Sequence, residues 1–105
     1  MVNVPHDDAV NFRYDVVTVI KNPDITKENL KEIQEKLKVH IMKDCVGDSL
    51  AITGMRGMIK VHFHSDKPEE ILEVLKQYGE ILSQDIEDMK EQYEEFKAKQ
   101  QKSKS

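Results

Sequence analysis

One stretch decides the fold of this chain, and it reads Ile59-Lys60-Val61-His62-Phe63-His64-Ser65-Asp66-Lys67-Pro68. Apolar and polar side chains alternate along its first six residues. Successive side chains of a strand point to opposite faces, so the apolar residues share one face and the other face carries His62 and His64. The next residues predict a helix, with Asp66 as its cap and Pro68 in its first turn.

Length and composition fit a single domain with a modest core, since the chain has 105 residues, of which 34% are charged and 38% are hydrophobic. The formal net charge of −4 argues against a nucleic-acid partner, because no basic face dominates. The apolar runs are too short to cross a bilayer, so we expect no transmembrane segment. The single cysteine, Cys45, excludes an internal disulfide and favours a cytoplasmic location.

Six elements are predicted from the patterns along the chain. β-branched runs predict strands, and apolar residues at helical spacing predict helices. In order, they are a strand over 13–20, a helix that Thr26 caps and that runs to about residue 40, a strand over 48–53, the strand that opens at residue 59, a helix over about 67–78 and a strand over 80–86. Gly54-Met55-Arg56-Gly57 predicts a hairpin turn, and Gly79 is expected to end the second helix in a left-handed conformation.

This order predicts an α+β, ferredoxin-like βαββαβ sandwich. Such a sheet is antiparallel, with four strands in the order four-one-three-two and two helices on one face. A small three-layer α/β unit is the competing architecture. The ferredoxin-like fold is favoured because the connection between the second and third strands has the signals of a hairpin.

We divide the chain into an extended lead-in over 1–12, the ferredoxin-like domain over 13–88 and a C-terminal helical tail over 89–105 with a frayed end. Apolar residues recur at helical spacing into the tail, at Ile86, Met89, Tyr93 and Phe96. This stripe either packs on the core or forms a surface for a partner, and the sequence leaves both interpretations open.

The two histidines are the strongest candidates for a site. Antiparallel pairing of the first and third strands places Asp15 near His64, with His62 one pair further in. Cys45 precedes the second strand and lies at the same end of the sheet. These ligand types suit zinc. The alternative is a pair of solvated histidines on an open sheet face, which the residues alone favour, and Cys45 fits a buried thiol better than a ligand.

Other short motifs do not support catalysis. Gly47-Asp48-Ser49 lacks the following glycine and the preceding strand of a hydrolase nucleophile motif, so it is interpreted as a strand-entry turn. The pair of glycines at 54 and 57 opens a strand and lacks the lysine of a phosphate-binding loop. We therefore predict no catalytic and no cofactor-binding residue.

Several motifs in series resemble one protein family. They are Gly47-Asp48-Ser49-Leu50, the stretch 59–68 with its Val-His-x-His core, Tyr78-Gly79-Glu80-Ile81 and Ile86-Glu87-Asp88-Met89-Lys90-Glu91-Gln92. Together they resemble the middle region of the ATP-binding component of bacterial fatty acid kinase, also described as dihydroxyacetone-kinase-like. The resemblance spans roughly residues 13–93.

In that family an N-terminal helical domain binds ATP and magnesium, and a C-terminal domain helps to engage a separate fatty-acid-binding protein that presents the acyl carboxylate for phosphorylation. The chain resembles neither. The resemblance therefore implies a non-catalytic middle domain that links the kinase domain to the acyl partner, with ATP and magnesium held elsewhere. The alternatives are a stand-alone ferredoxin-like module that binds a ligand or forms a homodimer, and a small metal-dependent enzyme.

The resemblance also bears on zinc. In family members with a zinc site here, the ligands include the two histidines of the Val-His-x-His motif, which correspond to His62 and His64, and a cysteine on the first strand. That cysteine position corresponds to Asp15. An aspartate can bind zinc through oxygen, but loss of the thiolate weakens a structural site.

Overall fold

A computed structural model describes residues 11–92 and 94–96, and it confirms the predicted order of elements. The elements are β1 (Tyr14–Lys21), α1 (Leu30–Asp44), β2 (Gly47–Met55), β3 (Met58–Ser65), α2 (Pro68–Leu75) and β4 (Glu80–Asp88). Residues 89–92 and 94–96 are helical and begin the predicted tail. Within the described residues, none of the helices has the length and apolarity needed to cross a membrane.

The four strands form one antiparallel sheet in the order β4-β1-β3-β2, as predicted. β1 is central because it pairs with β3 on one side and β4 on the other. Its apolar composition follows from this position, since its side chains from residue 14 to residue 20 are buried or half-buried on both faces of the sheet. The α+β ferredoxin-like fold is therefore confirmed.

The core lies between the sheet and the two helices. Alternate residues of β1 and β3 point towards the helices and are at most a few per cent exposed, among them Ile20, Val61 and Phe63. Leu37 and Ile41 of α1 and Ile71 of α2 pack against them. The period of two in the strands thus meets the helical period across one interface, and neither α1 nor α2 covers the opposite face of the sheet.

The start of α1 differs from the prediction. A turn over Thr26–Asn29 precedes the helix, in which the Asn29 N–H donates to Thr26 Oγ1 at 3.2 Å and the Thr26 N–H donates to Asn29 Oδ1 at 2.7 Å. This reciprocal pairing resembles a capping box. The helix itself runs from Leu30 to Asp44 with its N-cap at Asn29, so it begins three residues later and ends about four residues later than expected.

Asp66 does not cap α2, so that prediction is wrong. Its Oδ1 accepts a hydrogen bond from the Arg13 N–H at 2.8 Å and fixes the entry to β1. Ser65 provides the side-chain acceptor just before α2, since its Oγ accepts a hydrogen bond from the Lys67 N–H at 3.0 Å. The same hydroxyl donates to the Val46 carbonyl, also at 3.0 Å. A buried hydroxyl so placed ties the end of β3 to the start of β2.

The sequence predicts turn conformations for two glycines, and one adopts it. Gly57 has a φ of +79° at the second position of the two-residue connection of the β2–β3 hairpin, a conformation that glycine adopts without strain. Gly79 does not have a positive φ, so the predicted left-handed helix end is wrong. Its glycine is explained by space, because a Cβ there would lie 2.5 Å from the carbonyl oxygen of Lys21.

The ends of the chain are only partly described. The predicted lead-in over 1–12 lies largely outside the described residues, as do Tyr93 and the frayed end of the tail. Of the apolar stripe, Ile86 belongs to β4 and is 42% exposed, Met89 is half-buried and Phe96 is 38% exposed. The Met89 N–H donates to the Arg13 carbonyl at 2.8 Å and anchors the first turn of the tail.

Candidate metal centre

The open face of the sheet brings three of the predicted site residues together. Asp15 pairs with His64 across β1 and β3, and Val17 pairs with His62. This is the register expected from the sequence. The alternation that buries Phe63 on the helix side places both histidines beside Asp15 on the other side.

Contacts within this trio converge on Asp15. The Oδ1 atom of Asp15 is in hydrogen-bond contact with Nε2 of His62. Nε2 of His64 lies 3.6 Å from the same oxygen. The two imidazole rings meet edge to face, with centroids 5.1 Å apart and planes at 76°. One oxygen therefore faces a ring nitrogen of each histidine.

The trio has the donor types and the closeness of a metal centre. One ligand atom from each of Asp15, His62 and His64 lies within 4.8 Å of the other two, and no other such group occurs in the described part of the chain. The side chains are between a quarter and two-fifths exposed, so an ion can reach them. Two imidazole nitrogens and a carboxylate oxygen suit zinc and neighbouring divalent transition metals.

Cys45 is not brought to this trio. It follows the C-terminus of α1, is 8% exposed and belongs to the core on the helix side of the sheet. The pKa of the Cys45 thiol is raised to about 11, mainly by burial and to a smaller extent by the nearby negative charges of Glu70 and Asp44. A protonated thiol is a poor metal ligand, and this position fits the buried thiol that the sequence favours.

The structure adds a residue that sequence reasoning missed. Asp48 of β2 pairs with His64 on the side away from Asp15, and its Oδ1 lies 3.6 Å from Nδ1 of His64. Its Oδ2 accepts a hydrogen bond from the side-chain amide of Asn11 at 3.1 Å. The Gly-Asp-Ser motif predicts only a strand-entry turn, and the pairing of β2 with β3 is what reveals that the aspartate faces the histidines.

The remaining described histidine belongs to a different cluster. Nδ1 of His40 lies 2.9 Å from the hydroxyl of Tyr78, and Nε2 lies 3.0 Å from Asp44 Oδ2. Burial raises the pKa of the Tyr78 phenol. His40 and Asp44 both belong to α1, and Tyr78 lies in the turn after α2. The contact between His40 and Tyr78 therefore joins these two elements and gives the cluster a structural explanation.

A family comparison supports the resemblance seen in the sequence. Residues 11–96 match the family model of the FakA-like middle domain of fatty acid kinase. The chain belongs to this family. The match covers the whole described sheet and both helices, so the middle domain is a ferredoxin-like unit with a candidate metal centre on its open face.

Similar curated proteins come from staphylococci. An uncharacterized protein of Staphylococcus saprophyticus is 37% identical over 54 residues, which is 51% of this chain and 10% of that protein. Uncharacterized proteins of Staphylococcus aureus strains USA300 and NCTC 8325 are each 36% identical over 55 residues, which is 52% of this chain and 10% of each relative. The middle domain thus aligns with about a tenth of the length of these relatives.

Proposed function

We propose that this middle domain is a non-catalytic unit of a fatty-acid-kinase-like protein, whose metal centre stabilises a surface between an ATP-binding domain and an acyl-presenting partner. The observation that carries the proposal is the convergence of His62 and His64 on Asp15, on the sheet face that α1 and α2 leave uncovered. Family membership supports the kinase context. In this assignment ATP and magnesium belong to the kinase domain, fatty acid belongs to the partner, and the assembly is cytoplasmic.

Zinc is the proposed metal, because the donor set fits it. His62, His64 and Asp15 supply two nitrogens and one oxygen, a set found among zinc sites. When bound, zinc supplies a fixed positive charge and links β1 to β3 at one end of the sheet. Because Asp15 offers oxygen in place of sulfur, the site is harder than a thiolate site and binds zinc less tightly.

Metal analysis of the purified chain tests this proposal. We expect one zinc per chain, and zinc at 100 times its dissociation constant should stabilise the fold by about 2.7 kcal/mol. For a domain of this size that corresponds to a rise in Tm of roughly 10–20 °C. His62→Ala should abolish both effects, whereas His40→Ala, a histidine outside the centre, should retain zinc.

Two results would contradict the proposal. A chain that carries no stoichiometric zinc and shows no zinc-dependent rise in Tm has no metal centre. Formation of acyl phosphate by the chain alone, from ATP and a fatty acid, would overturn the non-catalytic assignment. The same assay with an added kinase domain and fatty-acid-binding protein measures the linking role.

A second candidate function is a dimerisation or ligand-binding module, favoured by the hairpin end of the open face. A cavity of about 290 Å³ lies there, lined by Val19, Met55, Met58 and Lys60 among others. Met55 is 63% exposed, and exposed apolar side chains of this kind mark interaction surfaces when they cluster. A dimer by light scattering that Met55→Lys converts to a monomer would support this function.

A further inference from the structure

A bulge in β2 interrupts its pairing with β3 next to the metal centre. Asp48 pairs with His64 and Ala51 pairs with His62, so Ser49 and Leu50 together stand opposite the single residue Phe63. In a regular ladder that continued from Ala51, Ser49 would face His64. The extra residue instead presents Asp48, because a bulge re-aims the side chains on one side of it.

The bulge carries local strain. Ser49 has a φ of 58°, and it is the only non-glycine residue with positive φ in the part of the chain that the structure describes. A left-handed conformation costs an L-residue about 1 kcal/mol or more. Such strain persists only where surrounding contacts enforce it. Here the strained backbone at Ser49 accompanies the placement of the Asp48 carboxylate beside His64.

The two ring nitrogens of His64 face two different carboxylates. Nε2 is directed to Asp15, within the trio, and Nδ1 is directed to Asp48, outside it, each at 3.6 Å. Asp48 is held by Asn11 through its other oxygen, which leaves Oδ1 for the histidine. A closer approach of a few tenths of an ångström brings the Nδ1 contact within hydrogen-bond distance.

We infer that Asp48 is a positioning residue for His64 and not a metal ligand. A neutral imidazole carries one proton, and a metal-binding histidine usually donates that proton to a carboxylate or carbonyl group. With the proton on Nδ1 and directed to Asp48, the lone pair of Nε2 points towards Asp15 and His62. The inference rests on the proposed metal centre and deepens it, since it assigns the tautomer and orientation of one ligand.

The row of paired residues supplies a matched control. Glu87 of β4 pairs with Asp15, as Asp48 pairs with His64, so the two acidic residues flank the centre from opposite sides. Among the described residues, the ion-pair contacts of the two histidines are with Asp15 and Asp48 and do not include Glu87. Glu87→Gln therefore removes the same charge from the same row without removing a partner of His64.

The test compares zinc binding by the unaltered 105-residue chain with zinc binding by Asp48→Asn and Glu87→Gln, using competition with a chelating dye. We expect Asp48→Asn to weaken zinc binding about 10- to 100-fold and Glu87→Gln to leave it nearly unchanged. Nitrogen NMR of the zinc-loaded chain with labelled histidine should show His64 protonated at Nδ1. Asp48→Glu, which keeps the carboxylate, should retain this tautomer, and it serves as the second variant if Asp48→Asn fails to fold.

The outcomes separate this inference from the proposed function. If the unaltered chain binds no zinc, the metal centre itself is wrong. If it binds zinc but Asp48→Asn and Glu87→Gln bind equally well, only the role of Asp48 is overturned. A His64 proton on Nε2 in the zinc-loaded chain would also overturn it.

Discussion

Replacement of Gly47 by alanine tests how closely β2 and β3 approach beside the candidate metal centre. An added Cβ would lie 2.1 Å from the carbonyl oxygen of His64 and 2.4 Å from Cζ of Phe63. Both distances are far shorter than van der Waals contact. The Phe63 ring can turn only within a packed core, and the His64 carbonyl is part of the β2–β3 pairing.

The expected loss of stability follows from these contacts. Overpacking of a core typically costs about 1–3 kcal/mol where side chains can adjust. Because one of the clashing groups here is backbone, we expect Gly47→Ala to lie at the upper end, about 3 kcal/mol. That loss lowers Tm by roughly 12–24 °C for a domain of this size.

Chemical and thermal denaturation followed by circular dichroism measures this loss. Gly57→Ala is the control, because among the described residues no atom beyond those of position 57 and its two chain neighbours lies within 4 Å of the added Cβ, and only its φ of +79° is unfavourable. That strain costs about 1–2 kcal/mol. If Gly47→Ala is as stable as the parent chain, or loses less stability than Gly57→Ala, the close approach of the two strands is wrong.

Other residues give four shorter tests. Thr18→Val should raise the free energy of unfolding by about 1 kcal/mol, because the buried Thr18 hydroxyl has no hydrogen-bond partner in the described structure; a lower Tm would contradict this. Ser49→Gly should raise stability by about 1 kcal/mol in urea unfolding, since glycine tolerates a φ of 58°. Cys45 should react slowly with iodoacetamide in mildly alkaline buffer when the chain is folded and rapidly after unfolding. Since folding raises its pKa from 9.0 to about 11, the stability that this shift contributes is complete below the unfolded pKa and is lost as the pH rises through the folded one. Asp15→Cys should tighten zinc binding in the dye assay, because a thiolate is a softer donor than a carboxylate; unchanged or weaker binding would count against Asp15 as a ligand.

Much of the fold can be predicted from the sequence because it depends on two periodicities, the alternation of side chains in strands and the helical spacing of apolar residues. Alternation in β3 separates Phe63 from the histidines, and a helical period places Leu37 on the buried side of α1. The hairpin signal then decides the topology, and the topology decides that Asp15 lies opposite His64. Each step uses either a repeat between residues close in the chain or the pairing of two complete strands.

The missed features depend on contacts between distant residues. Asp66 has the sequence context of a helix cap, yet its carboxylate accepts from Arg13, which is 53 residues away. The glycine at position 79 is required by the carbonyl of Lys21, another distant contact. The bulge at Ser49 shifts the alternation of β2 by one residue, and nothing in Gly47-Asp48-Ser49 alone marks it. Patterns in the sequence therefore predicted that Asp15, His62 and His64 lie close together, but they could not predict that Asp48 lies beside His64.

Asp15 is the residue on which the metal assignment depends most, and its chemistry argues for the centre. A carboxylate and a thiolate carry the same charge, so with two neutral imidazoles the donor set has the same net charge as a thiolate site. What changes is donor softness and reach, since a carboxylate has two oxygens where a thiolate has one sulfur. In this structure one of those oxygens already faces both histidines. In the proposed zinc site, a carboxylate in place of a thiolate therefore lowers affinity without removing the charge or the convergence that a divalent ion requires, so we expect a weaker zinc site and not a lost one.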